Sequence, residues 1–472
     1  MKKKILIRAD GNETIGLGHL TRCFALAEML SADFEIIFCS IHIPKSLFND
    51  ITSKGFKVHS LKNNEEFIDI LTGREIIILD HYSLDSDFQK RIKSKGNKLI
   101  CIDDIFDKEF YADLIINHAP GISKEFYKSQ SYTKFAIGLD YALLRSPFLE
   151  VAQEKFFSKK EKSVFICFGG SDIQNLTLRA LKILIKDPRF TEINAVIGAS
   201  YNHTEDLKLF SEKHKNIKLH QSLNAKEMIS LMKKSELAIV PCSGILLEAL
   251  ALRLTLIAGT YVDNQKVLYE GAKKANLIID AKKFSEDELK DAIEVFFKFP
   301  NKDKEPVIDG FSAKRFKSIL FKYSVNLRKV NDKDALLLFD WANDPDVRKN
   351  ALNSNEIELE NHKNWFSKKI NDPNNTEIYI LEKDGRPLGQ VRFDKIDGIW
   401  EIDYSIDKQY RGLGLGGRII ELGIEELKKD VKAIVKIENL SSCKVFENLG
   451  FKNENTSDGN INVYIKKWKK RS

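Results

Sequence analysis

The first 141 residues alternate short apolar, β-branched runs with amphipathic helical stretches. The runs are "KILIRAD", "FEIIFCS", "FKVHS", "EIIILDHY", "KLICIDD" and "DLIINH". Strands that alternate with helices in this way predict a parallel, doubly wound sheet, an α/β fold.

The same alternation restarts after the charged segment 151–163, "VAQEKFFSKKEKS", which we interpret as a connector. The second set of runs is "VFICFGGSD", "EINAVIG", "IKLHQSL", "LAIVPCSG" and "LTLIAG", and it ends near Pro300. Two units of one class predict a cleft between them.

The pattern changes after "KFPNKDKEPVIDGFSAKR". A helix over 312–323, "SAKRFKSILFKY", is expected to lie back across the first two units. From about Val325, two helical stretches around "DALLLFDWANDPDVRKN" and "NHKNWFSKKI" precede a hairpin with an Asp384-Gly385 turn. The strand "IWEIDYSID", a glycine-rich turn, a helix, the strand "KAIVKI" and a short helix closed by Gly450 follow, which predicts a smaller α+β domain.

Composition narrows the function classes. With 43% hydrophobic and 30% charged residues, the 472-residue chain is typical of a globular protein of about three domains. Its 75 basic and 68 acidic residues are scattered, so the net charge of +7 disfavours nucleic acid as a partner but allows small anionic substrates.

Cysteine usage and hydropathy favour a cytoplasmic location. The six cysteines form no C-x-x-C pair, so we expect no metal site and no disulfide framework. The N-terminus lacks the apolar core of a signal peptide. The most apolar stretch, 237–262, carries Pro241, Glu248 and Arg253, and it predicts strand, loop, helix and strand rather than a membrane span.

A glycine pair directly precedes a histidine in "GNETIGLGHLTRC". We expect a helix from His19 or just after it, with one apolar face. That face is formed by Leu20, Cys23, Phe24, Ala27 and Leu30. Gly16 and Gly18 permit close approach of a ligand, and the first helical turn offers free N–H groups to an anion, so His19 would project into that ligand. The alternative is a common glycine turn with a solvated histidine.

The second unit carries matching features in "PCSGILLEALALRLTLIAGTYVDNQ". A carboxylate at Glu248 suits ribose hydroxyls, and Ser243 with Gly244 at a helix start suits phosphate. Asn264 and Gln265 follow the next strand, and "CFGGSD" adds a turn at Gly169 and Gly170. The alternatives are a salt-bridged helix residue for Glu248 and a plain tight turn for the two glycines.

Taken together, "RADGNETIGLGHLTRC", "DHYSLD", "CIDD", "CFGGSD" and "SGILLE…DNQ" resemble the UDP-sugar hydrolase family of pseudaminic acid biosynthesis, over roughly residues 1–300. The resemblance implies two Rossmann-like domains of glycosyltransferase-B type, 1–150 on the sugar side and 151–324 on the UDP side. It also implies metal-free water attack at the anomeric carbon of a UDP-linked 2,4-diacetamido-2,4,6-trideoxy-L-altrose.

On this resemblance His19 is the base that activates water. Histidine has an unperturbed pKa of about 6.5, which suits a proton acceptor near neutral pH. We expect Asp10 and Asn12 to orient the sugar or the imidazole, and Asp80, His81 and Tyr82 to line the far wall, although a helix or strand cap is an equal alternative for Asp80.

A second glycine motif lies in "DYSIDKQYRGLGLGGRII", where R-x-x-G-x-G follows a strand and opens a helix. Consecutive amides there can wrap a pyrophosphate. With the downstream "VKIENLSSCKVFENLGF", the motif resembles the GNAT acetyltransferase family over about 325–465. The resemblance implies acetyl-CoA as acetyl donor and assigns its binding to Arg411, Gly412, Gly414, Gly416, Gly417 and Asn439.

One residue departs from the GNAT pattern. Many members have a tyrosine, which protonates the departing CoA thiolate, where this chain has Phe446. Tyr464 is a poor substitute, so the acid stays open. On the strand "WEIDYSI", Glu401, Asp403 and Ser405 share one face, and one of them, through water, is the expected base. The alternative is a solvated strand face.

The two resemblances together predict a bifunctional cytoplasmic enzyme of pseudaminic acid biosynthesis, with the GNAT domain over 325–472. It would acetylate the 4-amine of a UDP-linked amino-altrose and then hydrolyse the product to UDP and free sugar. We expect no membrane partner and at most a weak association with other enzymes of the pathway. A UDP-sugar glycosyltransferase, or a UDP-sugar sensor fused to an acetyltransferase, are the alternatives. The sugar series, the oligomeric state and any channelling stay open.

Overall fold

The computed structural model describes residues 2–12, 16–154, 161–298, 306–454 and 459–468. The chain divides into two compact units, Lys2–Lys317 and Ser318–Ser472 with Met1. The first unit contains two large parallel sheets and a two-stranded parallel side sheet, and the second unit contains one mixed sheet.

The first sheet carries the pattern of the first 141 residues. Its strands and those of a small side sheet are β1 (Lys4–Ala9), β2 (Glu35–Ser40), β3 (Lys57–Ser60), β4 (Ile76–Asp80), β5 (Lys98–Ile102), β6 (Glu109–Phe110), β7 (Leu114–Asn117), β8 (Lys128–Ser129) and β9 (Lys134–Ile137). The helices are α1 (Gly18–Leu30), α2 (Lys45–Ser53), α3 (Asn64–Asp69), α4 (Ser86–Ser94) and α5 (Ser146–Ala152). Seven strands pair in parallel in the order β3-β2-β1-β4-β5-β7-β9. Their apolar residues form a buried core because helices cover both faces of such a sheet.

The second sheet repeats this order. Its strands are β10 (Glu161–Ile166), β11 (Glu192–Ile197), β12 (Ile217–Gln221), β13 (Ser235–Pro241), β14 (Thr255–Gly259) and β15 (Ile279–Asp280). Its helices are α6 (Leu176–Leu184), α7 (Thr204–Glu212), α8 (Ala225–Lys234), α9 (Gly244–Ala251), α10 (Lys266–Lys274) and α11 (Glu286–Lys298), followed by α12 (Ser312–Tyr323). The strands are parallel in the order β12-β11-β10-β13-β14-β15. In both sheets the chain order reverses beside the first strand, where α/β proteins place their ligands.

Two predictions about the connections are settled here. The connector predicted over 151–163 is too long, because Val151 and Ala152 end α5 and β10 begins at Glu161; residues 155–160 lie outside the described part. Helix α12 has the predicted bounds and returns to the first sheet's side, where Arg315 donates to the Asp140 carbonyl at 3.0 Å.

The second unit is an α+β domain. Its strands are β16 (Asn326–Lys329), β17 (Thr376–Lys383), β18 (Arg386–Ile396), β19 (Ile399–Ile406), β20 (Val431–Lys436), β21 (Lys452–Glu454) and β22 (Ile461–Lys466). Its helices are α13 (Ala335–Ala342), α14 (Pro345–Asn350), α15 (Leu359–Ile370), α16 (Leu415–Leu427) and α17 (Leu440–Asn448). The sheet order is β16-β17-β18-β19-β20-β22-β21.

The predicted turn at Asp384-Gly385 is confirmed, with φ of 53° and 79°. One helix prediction needs correction. The stretch 334–350 is two helices rather than one, because Asp344 caps a new helix that starts at Pro345, where a missing N–H costs nothing.

Strands β19 and β20 diverge. Within these two fully described strands, pairing is confined to Trp400 with Val431 and Glu401 with Lys432. Beyond these pairs the facing backbone groups are left for another partner, since strand N–H and C=O groups need hydrogen bonds. The strands therefore open a wedge toward the start of α16.

Candidate functional site

His19 lies in the first turn of α1, which begins at Gly18, one residue before the earliest predicted start. The ring is buried, and its Nδ1 lies 2.5 Å from Asp80 Oδ1 at the end of β4. A carboxylate can only accept a hydrogen bond, so Nδ1 carries the proton and Nε2 is the basic nitrogen. This arrangement holds one tautomer and one ring orientation, as a carboxylate does for a catalytic histidine.

Arg22 completes this pair from one turn further along α1. Its Nε and Nη2 donate to the two oxygens of Asp80 at 2.6 Å, and its Nη1 donates to Asp104 at 2.6 Å. Burial tends to raise the pKa of Asp80, but Arg22 and His19 hold that pKa well below its usual range. Asp80 is therefore a fixed negative charge behind the imidazole and not a wall residue.

Asp10 follows β1 and lies beside, not against, the His19–Asp80 pair. Its Oδ2 accepts from Arg8 at 2.8 Å and lies 3.3 Å from His81 Nε2, and its Oδ1 accepts from the amides of Ile41 and His42. Burial opposes the charge, yet these bonds hold the pKa of Asp10 well below its usual range. The structure thus places Asp10 on His81 rather than on His19.

Residues 12 and 16–18 lead into the start of α1. Asn12 accepts a backbone hydrogen bond from Gly16, which has a φ of 84° that favours glycine. The N-cap residue is Leu17, whose side chain makes no capping bond, and Gly18 is exposed. Leu17 therefore supplies no side-chain cap to the first-turn amides, and amides at a helix start can bind an anion.

Two aromatic side chains border the imidazole. The Tyr82 ring meets His19 edge-on, with centroids 4.4 Å apart, and the His81 ring stacks at 6.4 Å. Burial and the charge of Asp104 raise the pKa of Tyr82, so its hydroxyl stays protonated at neutral pH.

We call the parallel sheet within β1–β9 and its helices the first lobe, and the sheet β10–β15 and its helices the second lobe. The glycine turn of the second lobe lies near the start of α1. A methyl group placed on Gly170 would lie 4.0 Å from Leu17 Cδ1, which joins loops of the two parallel sheets. Gly169 has a φ of 85°, and the neighbouring Tyr261 hydroxyl donates to the Phe168 carbonyl at 3.1 Å. Gly170 therefore lies close to Leu17, the residue before Gly18.

Other predicted residues of the second lobe lie along the same sheet edge. Ser243 is the N-cap residue of α9, which begins at Gly244. The Gln265 side chain is buried and accepts from the Tyr261 amide at 3.0 Å, whereas Asn264 is exposed.

In this structure Glu248 is a salt-bridged helix residue, which is the alternative given above to a ribose-binding carboxylate. Its Oε1 accepts from Arg145 Nη2 at 2.7 Å and from Arg145 Nε at 2.9 Å, which is a salt bridge between α9 and the segment before α5. Burial raises the pKa of the Glu248 carboxyl, and Arg145 opposes that shift. Any ribose at this carboxylate would share it with Arg145.

The glycine loop of the second compact unit, Ser318–Ser472, precedes α16. Gly412 and Gly414 have φ of 80° and 69°, and Gly414 is the N-cap residue of α16. A methyl group on Gly416 would lie 3.0 Å from the Tyr404 ring, whereas one on Gly417 would meet no atom within 4 Å. The loop thus exposes backbone amides at a helix start.

Two residues predicted to bind the cofactor have other partners. The Arg411 guanidinium donates to Asp344 and Asp346 at 2.7 Å and to the Ile406 carbonyl at 3.0 Å. Asn439 caps α17, where its side-chain oxygen accepts from the Ser442 amide at 3.2 Å. Both side chains hold the loop and the helix start in place.

Glu401, Asp403 and Ser405 share one face of β19, but their surroundings differ along the strand. Glu401 pairs with Lys432 at 3.3 Å, Asp403 is exposed and lies 3.3 Å from Arg392, and Ser405 is buried. Asp403 is therefore the more exposed of the two carboxylates.

A hydroxyl pair lies in the wedge between β19 and β20. The Tyr404 hydroxyl is 3.0 Å from Ser442 Oγ, between the first turns of α16 and α17. Phe446 packs against Tyr404 with ring centroids 6.0 Å apart. Tyr464 is fully buried, and its hydroxyl donates to Glu447.

Sequence reasoning missed several of these residues. The sequence patterns single out neither Arg22 nor Tyr404, and Arg145 lies 103 residues from its partner Glu248. His118 was also missed: its Nδ1 accepts from the Leu143 amide at 3.2 Å, and burial with the charge of Arg22 lowers its pKa to about 4. Its place after the strand "DLIINH" was the one available signal.

Two further findings concern metals and membranes. Among the residues that the structure describes, no three His, Cys, Asp or Glu side chains cluster in a way that would hold a metal ion. No helix in those ranges has the length and apolar character needed to cross a membrane.

Comparison with known proteins identifies both parts of the chain. The model of the GNAT acetyltransferase domain matches residues 324–452. An uncharacterised protein of Methanocaldococcus jannaschii is 27% identical over 98% of this chain and 99% of its own length. The spermidine N-acetyltransferase of Vibrio cholerae, solved in complex with CoA and spermine, is 16% identical over 30% of this chain and 94% of that chain, with a TM-score of 0.27.

The UDP-2,4-diacetamido-2,4,6-trideoxy-β-L-altropyranose hydrolase of Campylobacter jejuni is 30% identical over 268 residues, which are 56% of this chain and 93% of that protein. The chain therefore belongs to the family of this hydrolase and carries, in addition, a C-terminal GNAT acetyltransferase domain.

Proposed function

We propose that the chain is a bifunctional nucleotide-sugar enzyme. Its GNAT domain transfers acetyl from acetyl-CoA to the 4-amine of a UDP-linked 4-amino-4,6-dideoxy-N-acetylaltrosamine. Its two parallel-sheet lobes, of glycosyltransferase-B type, then hydrolyse the diacetamido product to UDP and free sugar. The observation that carries the proposal is the His19–Asp80 pair in the first turn of α1, with Gly170 of the second lobe close to Leu17, the N-cap residue of that helix.

In the hydrolysis step, His19 Nε2 takes a proton from water while the water oxygen attacks the anomeric carbon. The C1–O bond to the diphosphate breaks, and UDP leaves with the electron pair. Asp80, held ionised by Arg22, stabilises the imidazolium that forms. First-turn amides of α1 and the amides of the 169–170 turn are placed to receive the negative charge of the diphosphate.

In the acetyl-transfer step, the amine attacks the thioester carbonyl, and the CoA thiolate leaves. We propose that Asp403, through water, takes the amine proton. The diphosphate of acetyl-CoA would lie on the amides of the 412–416 loop, with the pantetheine arm in the wedge between β19 and β20. That placement supports the Tyr404–Ser442 hydroxyl pair as the proton donor to the thiolate, the role that Phe446 cannot perform.

The order of the two reactions is the test of the proposal. When acetyl-CoA and the UDP-linked amino sugar are supplied together, free CoA thiol should appear first and UDP should follow with a lag. Leaving out acetyl-CoA should suppress UDP release. Equal UDP release without acetyl-CoA contradicts the order, and release that requires an added sugar acceptor supports a glycosyltransferase instead.

Replacing Tyr404 with phenylalanine is expected to lower kcat for acetyl transfer about 10²-fold, with little change in the KM for acetyl-CoA, because general acids contribute about 10²–10⁴-fold. Burial raises the pKa of Tyr404, so the hydroxyl keeps its proton at neutral pH. Steady-state thiol release measures the effect. Tyr379→Phe removes another buried phenol of the same domain and serves as the control. A kcat within threefold of the wild type would rule Tyr404 out as the acid.

A further inference from the structure

A lysine that precedes the GNAT-matched segment lies on the glycine loop of the same compact unit. Lys322 is in the last turn of α12, two residues before the region that matches the GNAT model. A methyl group on Gly414 would lie 2.5 Å from Lys322 Nζ and 2.8 Å from its Cε. The ammonium group is therefore in contact with the N-cap residue of α16.

The backbone that carries Lys322 is anchored to the same helix. Arg418 of α16 donates through Nε to the Lys322 carbonyl at 3.0 Å. The neighbouring Tyr323 is buried, and the Phe321 ring lies 4.7 Å from Lys383 Nζ. The position of the ammonium group thus follows from the contact between the last turn of α12 and α16.

This contact concentrates positive charge where a diphosphate is expected. The amides of the loop and the N-terminal end of the α16 dipole already favour an anion. Lysine adds a compact point charge, which is how it binds phosphate groups elsewhere. The Arg411 guanidinium is engaged by Asp344 and Asp346.

We propose that Lys322 binds the diphosphate of acetyl-CoA, so that the helix preceding the acetyltransferase domain completes its cofactor site. The inference rests on the proposed acetyl-transfer function. The same chemistry would also suit the diphosphate of the UDP-sugar, and the experiment below separates these two sources.

The test compares Lys322→Met in the full-length protein with wild type, using two acetyl donors. With acetyl-CoA, the KM should rise about tenfold with kcat within twofold, and the dissociation constant of CoA measured by calorimetry should rise in parallel. With S-acetylpantetheine, which lacks the diphosphate, the variant and wild type should be equal. The KM for the UDP-sugar should not change, and Lys322→Arg should restore most of the affinity for CoA.

Lys314→Met, at an exposed position of the same helix, is the matched control, and thermal unfolding verifies that all variants fold. Equal CoA affinity in wild type and Lys322→Met overturns the inference, as does an equal loss with both donors. A rise in the KM for the UDP-sugar alone would assign Lys322 to the diphosphate of that substrate. This result would also overturn the inference that Lys322 binds acetyl-CoA. Failure of the wild type to bind CoA overturns the proposed acetyl transfer itself, and the inference with it.

Discussion

Replacing His19 with asparagine is expected to lower the rate of UDP release about 10³-fold while leaving acetyl transfer unchanged, because a general base contributes about 10²–10⁴-fold. Asparagine retains a polar group that can reach Asp80 but has no nitrogen that accepts a proton at neutral pH. The Asp80–Arg22 pair stays intact, so the variant should fold. UDP released from the pre-acetylated substrate, followed by a coupled assay, gives the rate.

A matched variant separates the role of His19 from the mere loss of an imidazole. His59→Asn changes an exposed histidine on β3, and hydrolysis should stay at the wild-type rate. Hydrolysis by His19→Asn within tenfold of wild type would contradict the assignment of the base. It would favour the alternative in which the two parallel-sheet lobes bind a UDP-sugar without cleaving it.

In the first lobe, local sequence patterns identify the two parts of the His19 site but not their pairing. The G-x-G-H element and the strand end at Asp80 were both visible, since glycine turns and strand ends leave local patterns. Their pairing was not visible, because it depends on β1 and β4 lying side by side with Ala9 opposite Asp80. Register between strands 70 residues apart is a tertiary property that periodicity does not encode.

In the acetyltransferase domain, the sequence pattern predicts the strand face correctly but does not reveal the hydroxyl pair. Alternation along β19 correctly put Glu401, Asp403 and Ser405 on one face. The same alternation assigned Tyr404 to the apolar face, which is true of its ring but hides its hydroxyl. Tyrosine has an apolar body and a polar tip, so a two-letter pattern cannot show where the tip finds its partner.

Charged side chains are a second case in which the sequence does not show the partner. The sequence offered Arg411 and Glu248 as ligand-binding groups, and the structure pairs both with charges from distant segments. Burying a charge is costly without a partner, so a partly buried arginine or glutamate finds one within the fold. Backbone amides are different, because helix starts and glycine turns present them wherever the main chain takes that path.

The second of the two largest expected effects comes from a substitution in the glycine loop of the acetyltransferase domain. Gly414→Val is expected to lower kcat/KM for acetyl-CoA at least about 10²-fold and to leave hydrolysis of the pre-acetylated substrate unchanged. Gly414 has a φ of 69°, a conformation that costs an L-residue about 1–2 kcal/mol and is worse for a β-branched one. Relief of that strain would turn amides away from the diphosphate, and each hydrogen bond to a charged group contributes about 1.5–3 kcal/mol.

The control for Gly414→Val imposes a positive-φ strain elsewhere, without the close contact that a side chain at position 414 makes with Lys322 Nζ. Gly398 has a φ of 83° in the turn before β19, at the opposite end of that strand from the loop, and a methyl group there would meet no atom within 4 Å. Gly398→Val should lower the unfolding temperature as Gly414→Val does but keep the KM for acetyl-CoA. If both valine variants lose acetyl transfer equally, strain in the domain explains the loss and the loop is not the diphosphate site. If Gly414→Val also abolishes hydrolysis, the two activities are not separable.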